Sequence, residues 1–281
     1  MNHYKIVADS SADLLSISDI PFASVPLTIV TSEKRYTDND SLDVSEMLND
    51  LAAYHGKSGS ACPNPEDWLA AFGDAEGVFC LPITKNLSGS HNAALLAAKQ
   101  YTEAYPDRHV YVVDTCSTGA EDAILVEKLR ALILEDLPFD EIVSKIQAYQ
   151  KRTHLIFALE SMQNLANNGR VSPIVAKLAG VLGIRVIGKA SAEGTLEITN
   201  KSRGEKRMLA DIVDNMLKNG YEGGRVRIHH CENPDGAQAL SDLLQARFPN
   251  ASIHLDVTRA LCSFYAERGG LMIGYESCEA K

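Results

Sequence analysis

VFCLPITKNLSGSHNAALLAAKQY, residues 78–101, is the stretch that decides the fold. Residues 78–83 (VFCLPI) form a short apolar run without alternation, the pattern of a strand buried on both faces. Residues 91–101 (HNAALLAAKQY) are rich in alanine and leucine and predict a helix. Leu87-Ser88-Gly89-Ser90 joins the two. A strand, a Gly/Ser loop and a helix in succession are the repeating unit of an α/β fold with a mainly parallel sheet. In such a sheet the loop sits at the carboxyl edge of the strand, where ligands bind. The N–H groups of the first helical turn, the helix dipole and the serine hydroxyls make it an anion site. Ser88 or Ser90 also reads as a plain N-cap, a role compatible with the first.

The same alternation extends outward. Upstream, residues 5–8 form a β-branched run ending in Asp9-Ser10-Ser11, and residues 24–30 predict a second strand. Residues 44–54 and 65–72 predict helices, the latter opening on Pro65, where a missing N–H is harmless. Between them, 58–63 (SGSACP) reads as a second Ser/Gly loop. Downstream, 109–113 predicts a strand, and 119–134 and 138–150 predict helices. The second half changes character: a short strand at 155–158, helices at 161–168 and 173–182, and a hairpin of 184–190 with 195–199 around Ser191-Ala192-Glu193-Gly194. A helix at 206–218, a half-exposed strand at 225–229, a helix at 237–248, a strand at 252–257 and a glycine-containing end at 262–275 complete it. The division falls near residue 150. The expected architecture is therefore an N-terminal α/β domain with a mainly parallel sheet (1–150) and a C-terminal α/β domain with a mixed sheet and helices (151–281).

Composition narrows the function classes. The chain has 281 residues, 45% of them hydrophobic, and a formal net charge of −10. That length buries a proper core. An acidic chain is repelled by phosphate backbones and anionic lipid surfaces, which argues against nucleic acid as the main partner. No apolar stretch reaches the ~20 residues of a membrane helix, and Asp9 comes too early for a signal peptide. A cytoplasmic protein without integral membrane association is the expectation. Six cysteines form no CxxC pair, so neither a zinc ribbon nor a thioredoxin-type site is expected, and most should pack as small hydrophobes.

The chemical motifs, taken singly, are modest. Ser88 lacks the G-x-S-x-G elbow, because Asn86 and Ser90 flank it, and only His91 offers itself as a base. Gly56-Lys57-Ser58 lacks the earlier glycine of a phosphate-binding loop, since Leu51 stands there. His229 and His230 are adjacent and face opposite sides of a strand, so they cannot chelate one metal together. Asp9-Ser10-Ser11 reads as an Asx turn or an acidic site, and Arg170 follows Gly169 at a helix break, where a guanidinium can turn onto an anion.

Taken in order, these segments resemble the DegV family, the fatty-acid-binding subunits of bacterial fatty acid kinase. The matching stretches are KIVADSSADL (5–14), VPLTI (25–29), Tyr36-Thr37-Asp38, SACPNPEDW (60–68), LPITKNLSGSHNAA (81–94), VVDTCSTGA (112–120), NNGRVSP (167–173) and the strand containing RIHHCEN (227–233). The resemblance implies two α/β domains with a long-chain fatty acid in a tunnel between them. It implies a protein that is not itself an enzyme, needs no cofactor or metal, and presents its ligand to a separate ATP-dependent kinase. By position it implies that Ser60, Ser88, Gly89 and Arg170 hold the carboxylate. Asp9, Ser10 and Ser90 would support the site, and Arg203 would dock the kinase. The family's C-terminal histidine segment is replaced here by Tyr265-Ala266-Glu267-Arg268-Gly269. Tyr265 thus stands at the carboxylate, where a phenol donates a hydrogen bond but carries no charge near pH 7. Two other readings stay open: a small-anion enzyme using Ser88 or Asp9, and a regulatory protein whose lipid is structural.

Overall fold

The computed structural model describes residues 3–176 and 183–278. The first half runs β1 (Tyr4–Asp9), β2 (Phe22–Val25), β3 (Thr28–Val30), β4 (Arg35–Thr37), α1 (Val44–Ala53), β5 (Gly59–Ala61), α2 (Pro65–Phe72), β6 (Gly77–Leu81), α3 (Ser90–Ala104), β7 (His109–Val112), α4 (Ala120–Leu134) and α5 (Phe139–Gln150). An all-parallel sheet has the order β2-β1-β6-β7. Both of its faces are covered, which is why its strands carry no polar alternation. Val78 and Cys80 pack with Trp68, Phe72 and Ala94 of α2 and α3. Phe79 and Leu81 pack with Leu125 and Leu129 of α4 and Ile142 of α5. The strand order reverses between β1 and β6, so the crevice outside their carboxyl ends is the natural ligand position of this sheet. Helix α2 begins as expected: Asn64 and Asp67 form a reciprocal capping box around Pro65.

Two expectations need correction. Residues 24–30 are not one strand. Pro26 has no N–H to give to a ladder, so β2 ends at Val25, paired with Asp9, and β3 joins a separate antiparallel sheet of order β4-β3-β5. Residues 58–63 are not wholly loop, because Gly59–Ala61 is β5, with Ser60 opposite Ile29. Strands of three residues are too short for periodicity to reveal.

The second half runs β8 (Thr153–Leu159), α6 (Gln163–Asn167), α7 (Pro173–Ala176), β9 (Ile184–Ala190), β10 (Leu196–Arg203), α8 (Glu205–Lys218), β11 (Arg225–His230), α9 (Pro234–Arg247), β12 (Ser252–Val257), α10 (Ala260–Ala266) and β13 (Leu271–Glu276). The helix expected over 173–182 is described only for Pro173–Ala176, and the rest of it lies outside the described residues. The sheet order is β10-β9-β8-β13-β11-β12, antiparallel throughout except for β11 with β12. Ile156 and Ala158 face α8 and α9, with Ile212 and Leu240 among their neighbours. Leu155, Phe157 and Leu159 face the other way, into a cluster that also holds Leu27 and Ile29 of the first half. Helix α4 lies between the two large sheets and packs against β13 and β11 as well as β1. Gly274 permits this, since a Cβ there would stand 2.3 Å from the Ala120 carbonyl oxygen.

Among the described residues, no helix is long and apolar enough to cross a membrane. No disulfide links the cysteines: Cys80, Cys231 and Cys262 are buried, while Cys62 and Cys278 are exposed. His229 and His230 do face opposite sides. His229 is fully buried with Nδ1 at 2.8 Å from Asp13 Oδ2, and His230 accepts the Asn233 N–H.

Candidate functional site

A narrow cavity lies between the carboxyl edge of the parallel sheet and the inner face of the six-stranded sheet. Its walls are mainly apolar. Leu155, Phe157 and Leu159 present alternate positions of β8 to it, and Met272 adds the neighbouring strand. Ser60, Ser88, Arg170 and Tyr265 also line it. These four come from β5, the loop before α3, the segment after α6, and α10.

The polar segments are tied together. Ser60 Oγ and Tyr265 Oη are 2.8 Å apart. Arg170 Nε donates to the Leu87 carbonyl at 3.0 Å, one residue before Ser88, and a second guanidinium N–H donates to the Asn168 carbonyl. Asn168 in turn donates to the Ser58 carbonyl, beside β5. Gly169 makes the reversal between α6 and Arg170 in a left-handed conformation, φ 72°. Arginine carries five donors, so those not spent on carbonyls remain available to an anion.

Gly89 does not line the cavity. It is the N-cap residue of α3, and a Cβ there would be 3.3 Å from the Cys62 sulfur. Neither candidate serine is the N-cap residue: Ser88 stands one position before it, its Oγ accepting the Ser90 N–H at 3.2 Å. Ser90 instead turns inward and donates to Asp9 Oδ2 at 2.6 Å. Asp9 is fully buried at the end of β1 and also accepts the Ile83 N–H (3.0 Å) and the Ser11 N–H (3.2 Å) and hydroxyl (2.5 Å). Burial raises its pKa, and the donors around it act against that rise. Ser10 Oγ accepts the Leu27 N–H at 3.0 Å, fixing the link between β2 and β3. These three residues thus stand behind the cavity wall. Arg203 is exposed at the far end of β10 from the lining residue Leu196, roughly 23 Å along the strand.

Sequence reasoning missed the supports of α10, the helix that carries Tyr265. Asp13 Oδ1 accepts the Arg259 N–H at 2.6 Å, and Asp38 Oδ2 accepts the Leu261 N–H at 3.2 Å. Asp38 also ion-pairs with the Arg259 guanidinium at 3.3 Å. Burial drives the Asp38 pKa up to about 6, against the pull of the Leu261 and Ala260 N–H groups and Arg259. Both aspartates lie in stretches already singled out (5–14 and 36–38), but nothing local says what they hold. His91 is buried, its pKa lowered by desolvation, and its Nδ1 has no hydrogen-bond partner. It forms no nucleophile–base pair with Ser88 through that atom. Among the described residues, no group of three or more His, Cys, Asp or Glu is arranged to hold a metal ion.

The comparisons with known proteins cover the same ground. The family model described as "Uncharacterised protein, DegV family" matches residues 3–277. A DegV domain-containing protein of Streptococcus pneumoniae is 44% identical over 277 residues, 97% of this chain and 99% of the relative. A crystal structure of the Streptococcus pneumoniae Fatty Acid Kinase (Fak) B3 protein loaded with linoleic acid superposes with a TM-score of 0.96, at 44% identity, covering 98% of this chain and 99% of that one. A DegV family protein from Eubacterium eligens loaded with heptadecanoic acid also reaches 0.96, at 41% identity and 98% and 99% coverage. Family model, relatives and fold agree from one end to the other: this chain belongs to the DegV family.

Proposed function

We propose that this protein binds a long-chain fatty acid in the cavity, with the carboxylate at Ser60, Ser88, Arg170 and Tyr265, and presents it to a separate ATP-dependent fatty acid kinase. The observation that carries this reading is the cavity itself: apolar walls with hydroxyl and guanidinium donors among them. A carboxylate taken out of water needs matched donors, and this lining supplies them. Burial of ~14 methylenes at ~0.8 kcal/mol each is worth about 11 kcal/mol before ordering costs. The two relatives whose structures hold linoleic and heptadecanoic acids, at 44% and 41% identity, support the ligand class. The Fak B3 relative supports the kinase link. The protein's part is positioning; no nucleophile or general base of its own is required, and acyl-phosphate formation belongs to the partner. Arg203 is the docking contact for the kinase.

Mass spectrometry of the denatured protein tests the ligand class: a stoichiometric long-chain acid is expected. The combined Ser88→Ala and Arg170→Ala variant should then bind fatty acid at least about a hundredfold more weakly, because hydrogen bonds to a charged group are worth ~1.5–3 kcal/mol each. Unchanged affinity would remove these residues from the carboxylate site. Arg203→Glu should leave fatty-acid affinity intact and lower the rate of acyl-phosphate formation with kinase and ATP. An unchanged rate would place the docking surface elsewhere.

A further inference from the structure

Ser60 and Tyr265 meet at the carboxylate site but belong to different halves of the chain, Ser60 to β5 and Tyr265 to α10. Their 2.8 Å contact therefore depends on how α10 is seated against the first half. The far end of α10 is held from within the second half: Asn164 donates from its side chain to the Phe264 carbonyl at 2.8 Å and from its backbone to Glu267 Oε1 at 3.0 Å. The near end is tied to the first half, by the Arg259 N–H on Asp13 Oδ1 at 2.6 Å and the Leu261 N–H on Asp38 Oδ2 at 3.2 Å.

The direction of the Asp13 carboxylate is itself fixed. Its side chain is wholly buried, and its second oxygen lies 2.8 Å from Nδ1 of His229, whose side chain is wholly buried too. A carboxylate only accepts, so the imidazole carries a proton on Nδ1 and donates it. The other ring nitrogen stands 3.8 Å from Asp256 Oδ2, beyond hydrogen-bond reach. His229 lies on β11, which is paired on both sides, with β12 and β13, so the donor is set on a rigid strand. The line His229–Asp13–Arg259 runs from that strand of one half, through a residue of the other, to the start of the helix that carries Tyr265. From Arg259 to Tyr265 is ~9 Å along a helix axis. Without the Nδ1 donor the buried carboxylate has to take up a proton or turn to another donor. Either change moves the anchor of α10, and a hydrogen bond at the far end weakens steeply once its geometry is lost.

We propose that His229 is a positioning residue for the carboxylate site: acting through Asp13, it seats α10 so that the Tyr265 hydroxyl meets the head group, and the site thereby prefers a free carboxylate to its ester. This rests on the fatty-acid reading above. The test measures palmitic acid and methyl palmitate on the delipidated full chain, by displacement of a fluorescent fatty acid, and reads the ratio of the two affinities. Side-chain geometry supplies the variants, since the amide nitrogen of asparagine falls where Nδ1 stands and that of glutamine where Nε2 stands. His229→Gln should cut the acid-to-ester ratio about tenfold, because a hydrogen bond to a charged group exceeds one to a neutral group by about that factor. His229→Asn should keep the wild-type ratio. Tyr265→Phe should match His229→Gln, and the double variant should lose no more than either alone. The ratio is taken within one protein, so a variant that is only partly folded still reports it. A histidine that served folding alone would lower both affinities together. An unchanged ratio in His229→Gln therefore overturns the proposal, as do losses that add in the double variant, or a His229→Gln protein that binds neither ligand. Failure of wild type to bind palmitic acid overturns the fatty-acid reading and this inference with it.

Discussion

Asp38 accepts the N–H of a residue 223 positions away, and the pair fixes where α10 begins. Its carboxyl is raised from 3.8 to about 6 by burial. Between those values the folded chain holds a proton that the unfolded chain has released. Stability from this group is therefore highest below pH ~4, falls as pH rises, and levels off above pH ~6, a loss on the order of 3 kcal/mol. Asp38→Asn has no proton to release. Denaturant unfolding from pH 4 to 7 should show the wild type losing about that much relative to the variant; parallel curves would mean that Asp38 stays ionised throughout. Nothing in the local sequence announces this role. Ser88, Gly89 and Ser90 were legible because a strand, a Gly/Ser loop and a helix are a local signal. Asp13 and Asp38 act across more than 200 residues on α10, a helix that the reading of 262–275 as a glycine-containing end did not reveal.

Helices and strands of ordinary length were legible by period and cap. Helix α2 was readable from Pro65 to Phe72 because its first turn carries its own capping box. The three-residue strands β3, β4 and β5 were not, since their pairing comes from tertiary contacts. The inward triplet Leu155, Phe157, Leu159 had a period-two signal, but an all-apolar strand conceals which face is cavity and which is core. The tightest backbone approach to a glycine is at Gly274, where any Cβ meets the first carbonyl of α4 at 2.3 Å. A backbone atom cannot step aside as a side chain does. Gly274→Ala should destabilise the protein by about 3 kcal/mol or more, seen as a lower denaturant midpoint with unchanged slope. A midpoint within experimental error of wild type would show that α4 and β13 have room between them.

At the scale of the whole molecule, the cavity is walled by both halves: Leu27, Ile83 and Ser88 come from before residue 150, and Phe157, Leu196 and Met272 from after it. A ligand there holds the halves together as well as filling space. At a thousandfold excess over its dissociation constant it adds about 4 kcal/mol, roughly 10 °C in melting temperature for a chain of this size. Delipidated protein should melt lower by that order and recover on addition of fatty acid; identical melting curves would mean that the cavity closes without it. The parallel sheet and its crevice were readable in the first half of the chain. Helix α4 was readable over 119–134, but its place between the two sheets was not, because it reads as an ordinary helix of the first half. Its burial belongs to both: Leu125 and Leu129 face the parallel sheet, while Ala120 lies beneath β13. Such a helix is common property, and this limits how the molecule can be rearranged by recombination. A chimera that exchanges the second half for that of a relative inherits a foreign underside for α4. Exchange of ligand preference between family members by swapping halves therefore has to carry residues 120–134 along with the strands that rest on them.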